Sequence, residues 1–460
     1  MPSFDDRFQP FAQKMRAESL PEIVIDTFRH YYRQLHDGGT GLIREHEIRP
    51  VQDLPDAETF ANNLGDHGVD ALDQTIVIKL NGGLGTSMGL EKAKSLLKVK
   101  DGHTFLDIIA RQAIHSRVPL VLMNSFNTQA DSLTLLNKYK ELDSLIPRDF
   151  VQHKVPKIRQ ADLAPANHDA DPSQEWNPPG HGDIYTALVT SGMLSKLLAA
   201  GYRYAFVSNA DNLGAVLDTR ILGYFSQRQL PFMMEVADRT EADKKGGHLA
   251  QTPDGQLILR ESAQCDDEDT DYFQDIDRHR YFNTNNLWLN LVALQQVLQE
   301  RNGILGLPMI RNRKTINPRN PDSEPVFQLE TAMGSAIATF KGAGAIRVPR
   351  HRFSPVKTTS DLLAVRSDAY LLTEDYRVIL HPDRAGEGVV VDLDSRYYKL
   401  IDEMEARFPA GAPSLIDCQR LTVRGDVRFE GPCRFTGSVE IINDQEKQLN
   451  YYGEAIATSP

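Results

Sequence analysis

The stretch KLNGGLGTSMG, from Lys79 to Gly89, follows the apolar run Ile76, Val77 and Ile78 and holds Gly82, Gly83, Gly85 and Gly89 within eight residues. Glycines let the backbone turn sharply and let a ligand approach its amide hydrogens, and phosphate is a common guest of such a loop. Lys92 and Lys94, in EKAKSLL, follow where a helix or loop could aim an ammonium at that phosphate. Two better-known phosphate loops fail on spacing. A nucleoside-triphosphatase loop ends in Gly-Lys-Ser/Thr, whereas Gly89 is followed by Leu90. The dinucleotide fingerprint is G-x-G-x-x-G, whereas Gly83, Gly85 and Gly89 give G-x-G-x-x-x-G, which argues against a nicotinamide dehydrogenase. Asp211 ends the run YAFVSNAD, where a carboxylate can hold a cation against phosphate or, equally by spacing, cap the next helix.

The elements that must position these residues are short β-branched or aromatic runs alternating with helix-like segments. Strands are predicted at 76–80, 120–124 and 204–208, with helices over 104–115, 128–140 and 215–228, and the alternation continues to about Pro349. Such alternation implies parallel βαβ units in a three-layer α/β domain, whose ligands sit beyond the carboxyl ends of the strands. The polar strand ends LNGGLG, MNSFN and SNADN then converge on one edge, where the first two loops and Asp211 share a cleft. Before this domain, residues 1–70 read as helical, with a loop near Gly38 to Gly41 and an acidic, polar stretch from Asp53 to Asp66.

The C-terminal segment carries a repeat of period six. Leu415, Leu421, Val427, Cys433 and Val439 form one register, Val423, Phe429, Phe435 and Ile441 a second, and Gly425, Gly431 and Gly437 a third. This is the pattern of a parallel β-helix rather than an irregular hairpin tail. With five hexads it must pack on its own body or on a neighbouring subunit.

Composition excludes several function classes. At 460 residues, 41% hydrophobic and 25% charged, the chain has the make-up of a folded protein with two or three domains. A net charge of −12 argues against a general nucleic-acid binder, so any phosphate site is a local island of positive charge. Cys265, Cys418 and Cys433 are too few and scattered for a disulfide framework or metal cluster, which points to a reducing compartment, the cytoplasm by default. No apolar run reaches the roughly 18 residues of a membrane span, and the N-terminus lacks the regions of a signal peptide.

In order and at matching intervals, KLNGGLGTSMG with AKSL, PLVLMNSFNT, PPGHGDIY, FVSNADNLGA, KGGHLAQ, FNTNNLW, QLETAMGSAI and PVKTTSDLL resemble the motifs of the eukaryotic-type UTP:glucose-1-phosphate uridylyltransferase (UDP-glucose pyrophosphorylase) family. The likeness runs from about Leu80 to Asp361 and resumes in the hexad tail. It implies a three-layer Rossmann-like nucleotidyltransferase (GT-A-like) core, divided as an N-terminal helical region (1–70), a catalytic domain (71–400) and a short C-terminal parallel β-helix (401–460). Many members have Gly-Pro before the active-site lysine where this chain has Lys92 and Ala93; alignment on KSL selects Lys94 as the inward lysine.

The reaction implied joins UTP and glucose 1-phosphate into UDP-glucose and pyrophosphate, reversibly, by in-line attack of the sugar phosphate on the α-phosphorus. The resemblance implies that Lys94 faces the β- and γ-phosphates, that Lys357 reaches the α-phosphate and the sugar phosphate, and that Asp211 holds magnesium. Lys357 lies between Pro355 and TTSD, a helix start that offers further backbone donors. The resemblance places Leu80, Asn81, Gly82, Gly83, Met123, Gln152 and Gly180 around the nucleotide, and His181, Asn209, Gly247, Glu261, Phe282 and Asn283 around the sugar. Relatives acting on N-acetylhexosamine 1-phosphate tend to differ in FNTNNLW and KTTSD, and a non-catalytic scaffold would have lost one of Lys94, Asp211 and Lys357. The tail is short beside those of relatives that assemble through it, which favours a monomer or dimer, with self-association left open.

Overall fold

Ten strands form the central sheet of the computed structural model, which describes residues 3–456. In chain order they are β1 (Arg49–Pro50), β2 (Thr75–Asn81), β3 (Leu120–Asn124), β4 (Asp149–Val151), β5 (Tyr204–Asn209), β6 (Phe232–Asp238), β7 (His248–Gln251), β8 (Leu257–Arg260), β9 (Tyr281–Asn290) and β10 (Gly344–Arg347). β5, β2, β3 and β4 lie side by side and parallel. From β2 the chain steps one way to β3 and β4, then returns to place β5 on the other flank of β2. The order therefore reverses between β2 and β5, and a crevice opens beyond their carboxyl ends.

The centres of these strands are apolar because both faces of the sheet are covered. In β2, Val77 joins the core on one face while Ile76 and Ile78 join the core on the other; Leu122 and Val121 divide in the same way in β3, as do Phe206 and Val207 in β5. The helices Phe105–Ser116, Gln129–Leu136 and Thr219–Gln227 follow the strands as predicted, with two shifts at their ends. The second stops at Leu136, after which Tyr139 is drawn to Asp107, its hydroxyl donating at 2.6 Å. The third starts at Thr219, because Asp218 caps it by accepting from the amides of Arg220 and Ile221; residues 210–218 are a loop.

The predicted run of parallel units breaks at β9, which is antiparallel to β5, β6 and β7. A parallel return needs a covering crossover, usually a helix, and between Asp238 and Tyr281 the longest helix is Thr270–Gln274. The N-terminal region also departs from an all-helical stretch. Helices α1 (Phe4–Ala17) and α2 (Glu22–His36) pack through Phe11, Phe28 and Tyr32 onto Ile158, Phe327 and Leu329 of the main body. After them the glycines at 38, 39 and 41 and the prolines at 50 and 55 favour turns and β1, with single 3-10 turns at Glu45–Glu47 and Ala57–Thr59, and α-helix resumes at Asn63–Ala71.

At the C-terminus β11 (Val390–Leu393), β12 (Cys418–Arg424), β14 (Arg434–Ile442) and β16 (Glu454–Ile456) pair in parallel, as do β13 (Val427–Phe429) and β15 (Leu449–Tyr451). Leu421 pairs with Val439 and Val423 with Ile441, so one layer covers the next after three hexads. All the apolar residues of both registers are buried; Gly425 and Gly431 turn with φ of 81° and 86°, and Gly437 takes φ of 72° inside β14, beside a shift in its register with β12. Their core is continuous with that on one face of the central sheet, and Phe429 stacks on Phe408 at 4.5 Å.

Candidate active site

A cleft of about 330 Å³ occupies the crevice between β2 and β5. Register pairs Leu80 with both Asn209 and Met123, which brings the three polar strand ends together as the sequence predicts. Leu80, Asn81, Gly82, Gly83, Lys94, Gln152, Gly180, His181, Asn209 and Asp211 all line the cleft. Met123 does not line it: 2% exposed, it lies in the core beside Leu80 on the neighbouring strand.

The glycine loop divides its work. Gly85 and Gly89, with φ of 67° and 78°, bound a tight turn over Thr86–Met88. Gly83 accepts from the amide of Lys94 at 3.0 Å, so the loop doubles back and presents that lysine to the cleft. A Cβ on Gly83 would meet nothing within 4 Å, whereas one on Gly82 would come within 2.9 Å of the Gln152 amide group. Gly83 therefore marks open space for a guest and Gly82 a close approach to Gln152. Asn81 spends its side-chain NH₂ on Asn124 and Ser132, at 2.7 and 2.8 Å.

The ammonium of Lys94 donates to Asp211 Oδ2 at 2.7 Å, while Lys92 is exposed and does not line the cleft. Asp211 Oδ1 accepts no hydrogen bond among the described residues, so the carboxylate has one oxygen for a cation. Among these residues no group of three or more His, Cys, Asp and Glu side chains could hold a metal. The donor set fits magnesium, which takes one or two carboxylates and completes its shell with water and phosphate oxygens.

The turn Gly180–Asp183 forms the opposite wall. Gly180 has φ of 79°, and a Cβ there would strike the Thr331 carbonyl at 2.4 Å. Asp183 accepts from the His153 amide at 2.7 Å, tying the turn to the strand end that bears Gln152. His181 Nδ1 accepts from the Met333 amide at 2.9 Å, which leaves the proton of the neutral ring on Nε2. Burial pushes the His181 pKa down to about 4, so the ring is a neutral donor at ordinary pH.

Gly247, Glu261, Phe282 and Asn283 form a second cluster next to this cleft. A Cβ on Gly247 would meet the Glu261 carboxylate at 2.4 Å, and the Asn283 amide donates to the Gly247 carbonyl at 3.1 Å. A bulge in β9 opposite Glu235 and Val236 turns Asn283 onto Asn285, itself held at φ of 57°. Burial pushes the Glu261 carboxyl up, opposed by the Asn283 side chain and the charge of Lys357. The turn Met333–Ala338 bridges the two clusters, with Met333 on His181 and Gly334 against Asn283.

Lys357 is exposed and does not line the cleft itself; its ammonium lies 5.7 Å from the Phe353 ring, which packs on Phe282. The predicted helix follows as α3 (Thr359–Arg366). The two amides just before it are taken by its capping carboxylate, Lys357 and Thr358 donating to Asp361 at 2.9 and 2.8 Å, which leaves the first-turn amides of Thr359 and Ser360 as the donors of the helix start. Sequence reasoning passed over Ser95, Pro178 and Ala210, which also line the cleft. Ser95 has a buried hydroxyl without a partner, and its position inside the KSL motif was the available signal.

Comparison with known proteins gives the family. A family profile described as UTP--glucose-1-phosphate uridylyltransferase matches residues 25–434. UTP--glucose-1-phosphate uridylyltransferase of Saccharomyces cerevisiae is 42% identical over 381 residues, covering 81% of this chain and 75% of the relative. A mutant of UDP-glucose pyrophosphorylase from Leishmania major superposes with a TM-score of 0.89 at 45% identity, covering 98% of each chain. A second mutant of that enzyme, in complex with UDP-glucose, gives a TM-score of 0.86 at 44% identity, covering 98% of this chain and 99% of the other.

Proposed function

The chain belongs to the UTP--glucose-1-phosphate uridylyltransferase family, and from that premise we propose how its residues make UDP-glucose and pyrophosphate from UTP and glucose 1-phosphate. The observation that carries the proposal is the Lys94–Asp211 contact of 2.7 Å inside a glycine-bounded cleft where the strand order reverses. A phosphate oxygen of the sugar phosphate forms a bond to the α-phosphorus of UTP. The bond from that phosphorus to the α–β bridging oxygen breaks, and its electron pair leaves with pyrophosphate. The attacking phosphate is ionised near neutral pH, so no general base is required; the work is to bring two anions together and to stabilise charge on the transferring and leaving oxygens.

Gly82 and Gly83 let the nucleotide approach the backbone, with Leu80 and Gln152 at the base and Gly180 closing the wall. Lys94 exchanges Asp211 for the β- and γ-phosphates as UTP enters, while Lys357, on its exposed segment, reaches the α-phosphate and the sugar phosphate. Asp211 would hold magnesium, which when bound supplies positive charge to the phosphate oxygens. His181, Asn209, Gly247, Glu261, Phe282 and Asn283 receive the sugar, with the neutral His181 Nε2–H as a donor. Met123 supports Leu80 from the neighbouring strand. The division into residues 1–70, 71–400 and 401–460 belongs to this same reading, with the parallel-paired hexads as a short β-helix that packs on the catalytic domain.

The test is pyrophosphate release with magnesium, UTP and a panel of sugar 1-phosphates, run beside Lys94→Ala and Lys357→Ala. Release with glucose 1-phosphate, reduced about 100-fold or more in kcat by either substitution, is expected for groups that stabilise transition-state charge. Release only with another sugar 1-phosphate moves the substrate, and variants as active as the parent remove the lysines from the mechanism.

A further inference from the structure

Lys79 opens the glycine-rich stretch, yet its side chain is 2% exposed and does not line the cleft. Its ammonium donates to Ser208 Oγ at 2.7 Å and to the Ala215 carbonyl at 2.8 Å. Ser208 precedes Asp211 and Ala215 follows it, so one side chain from β2 grips the Asp211 loop on both sides. Burial pulls the Lys79 pKa down to about 7, but the amine keeps at least two N–H donors in either protonation state, so the grip does not depend on its charge.

The tip of the same loop is held by Asn212, 1% exposed and likewise outside the cleft lining. Asn212 Nδ2 donates to the Arg352 carbonyl at 3.0 Å, and its Oδ1 accepts from the Ser354 amide at 3.0 Å. Asn212 forms a bridge with Pro355, and the amide of Val356 donates to the Asp211 carbonyl at 3.2 Å. The next residue is Lys357. Behind this joint Arg352 makes a two-pronged pair with Glu235, at 2.7 and 2.8 Å, and Glu235 also accepts from Asn286 and Trp288. Each of these buried groups has its partner, so the joint has one low-energy arrangement.

We propose that Lys79 and Asn212 are positioning residues for nucleotidyl transfer: Lys79 holds the base of the Asp211 loop, Asn212 joins its tip to the segment before Lys357, and together they set the spacing of Asp211, Lys94 and Lys357. The proposal rests on the catalytic reading given above. Neither side chain touches substrate. Lys94 and Lys357 lie far apart in the chain, and the Asp211 loop is the element that contacts both: Lys94 through the carboxylate, and the segment carrying Lys357 through Asn212 and the Asp211 carbonyl. Displacement of about 1 Å in such a centre is enough to cost about 100-fold in rate.

The test compares the full-length chain with Lys79→Met, which keeps the bulk and removes the donors, and with Asn212→Asp, which keeps shape and the acceptor for Ser354 but loses the donor to Arg352. Kinetics are measured with UTP, glucose 1-phosphate and magnesium, and thermal melting establishes that each variant is folded. The expected result is a kcat reduced at least 10-fold with both KM values within about 3-fold of the parent. In a Lys357→Ala background the further loss from Asn212→Asp shrinks below about 3-fold, because the group being positioned is gone. Folded variants with unchanged kcat, or a loss that is fully additive with Lys357→Ala, overturn the proposal. If Lys79→Met does not fold, Asn212→Asp decides alone; if neither folds, the residues are structural and the proposal fails. A parent chain inactive with every sugar 1-phosphate overturns the catalytic reading and this proposal with it, whereas an active parent with unaffected variants overturns this proposal alone.

Discussion

At Gly83 the absence of a side chain matters for the guest rather than for the fold. A Cβ there meets nothing within 4 Å, so Gly83→Val is expected to leave the melting temperature within about 2 °C of the parent and to abolish UTP binding by calorimetry. Retained affinity would separate the glycine from the nucleotide. His181 makes a prediction about acid. Its folded pKa is about 4 against 6.5 for a free ring, so between those values the unfolded chain binds more protons and stability falls as pH drops. The loss reaches at most about 3 kcal/mol by pH 4 and then levels off. His181→Asn keeps an acceptor for the Met333 amide and removes the titration, so its denaturant midpoint is expected to fall less between pH 6.5 and 4. The glycines were legible from residue type and spacing, because a short loop must present its own backbone, and Lys94 and Asp211 from their places in the motifs AKSL and FVSNADNLGA. The tethering of Asp211 to the segment before Lys357 was not, since Asn212 and Arg352 meet only through the fold.

Among the elements, α3 has the most informative start. Asp361 accepts from the amides of Lys357 and Thr358 and from the Thr358 hydroxyl, so its carboxylate both caps the helix and anchors the backbone beneath Lys357. Asp361→Ala is expected to cost about 1 kcal/mol in urea unfolding and to lower kcat by freeing that anchor, with Asp361→Asn recovering most of both. Equal kcat in all three would show that the cap serves stability alone. The TTSD pattern disclosed a helix start, but not that Asp361 takes the amides of Lys357 and Thr358, because that depends on the rotamer the carboxylate adopts. Strands β2, β3 and β5 were legible because burial on both faces makes them unbroken apolar runs. The direction of β9 was not, because its ten residues suit a strand of either direction, and the choice lies in whether a helix covers the return.

For the whole molecule, the C-terminal hexads and one face of the central sheet share a single core, with Phe408 stacked on Phe429 and Tyr398 donating its hydroxyl to the Val427 carbonyl at 2.5 Å. Calorimetry is therefore expected to show the hexad unit and the central domain melting in one transition, and removal of residues 409–460 to leave a chain that does not fold to a sharp melt. Two well-separated peaks would mean that the shared core is not cooperative. Among the described residues no helix is long and apolar enough to cross a membrane, in keeping with the short apolar runs of the sequence. The order of the first strands and helices, the six-residue period and the glycine loop follow from local pattern, since each is dictated by neighbours a few residues away. The antiparallel turn of the sheet follows from pairing between separate strands, and the Lys94–Asp211 contact and the clamps on the Asp211 loop follow from contacts between residues more than a hundred positions apart; those contacts exist only once the two faces of the sheet have been packed.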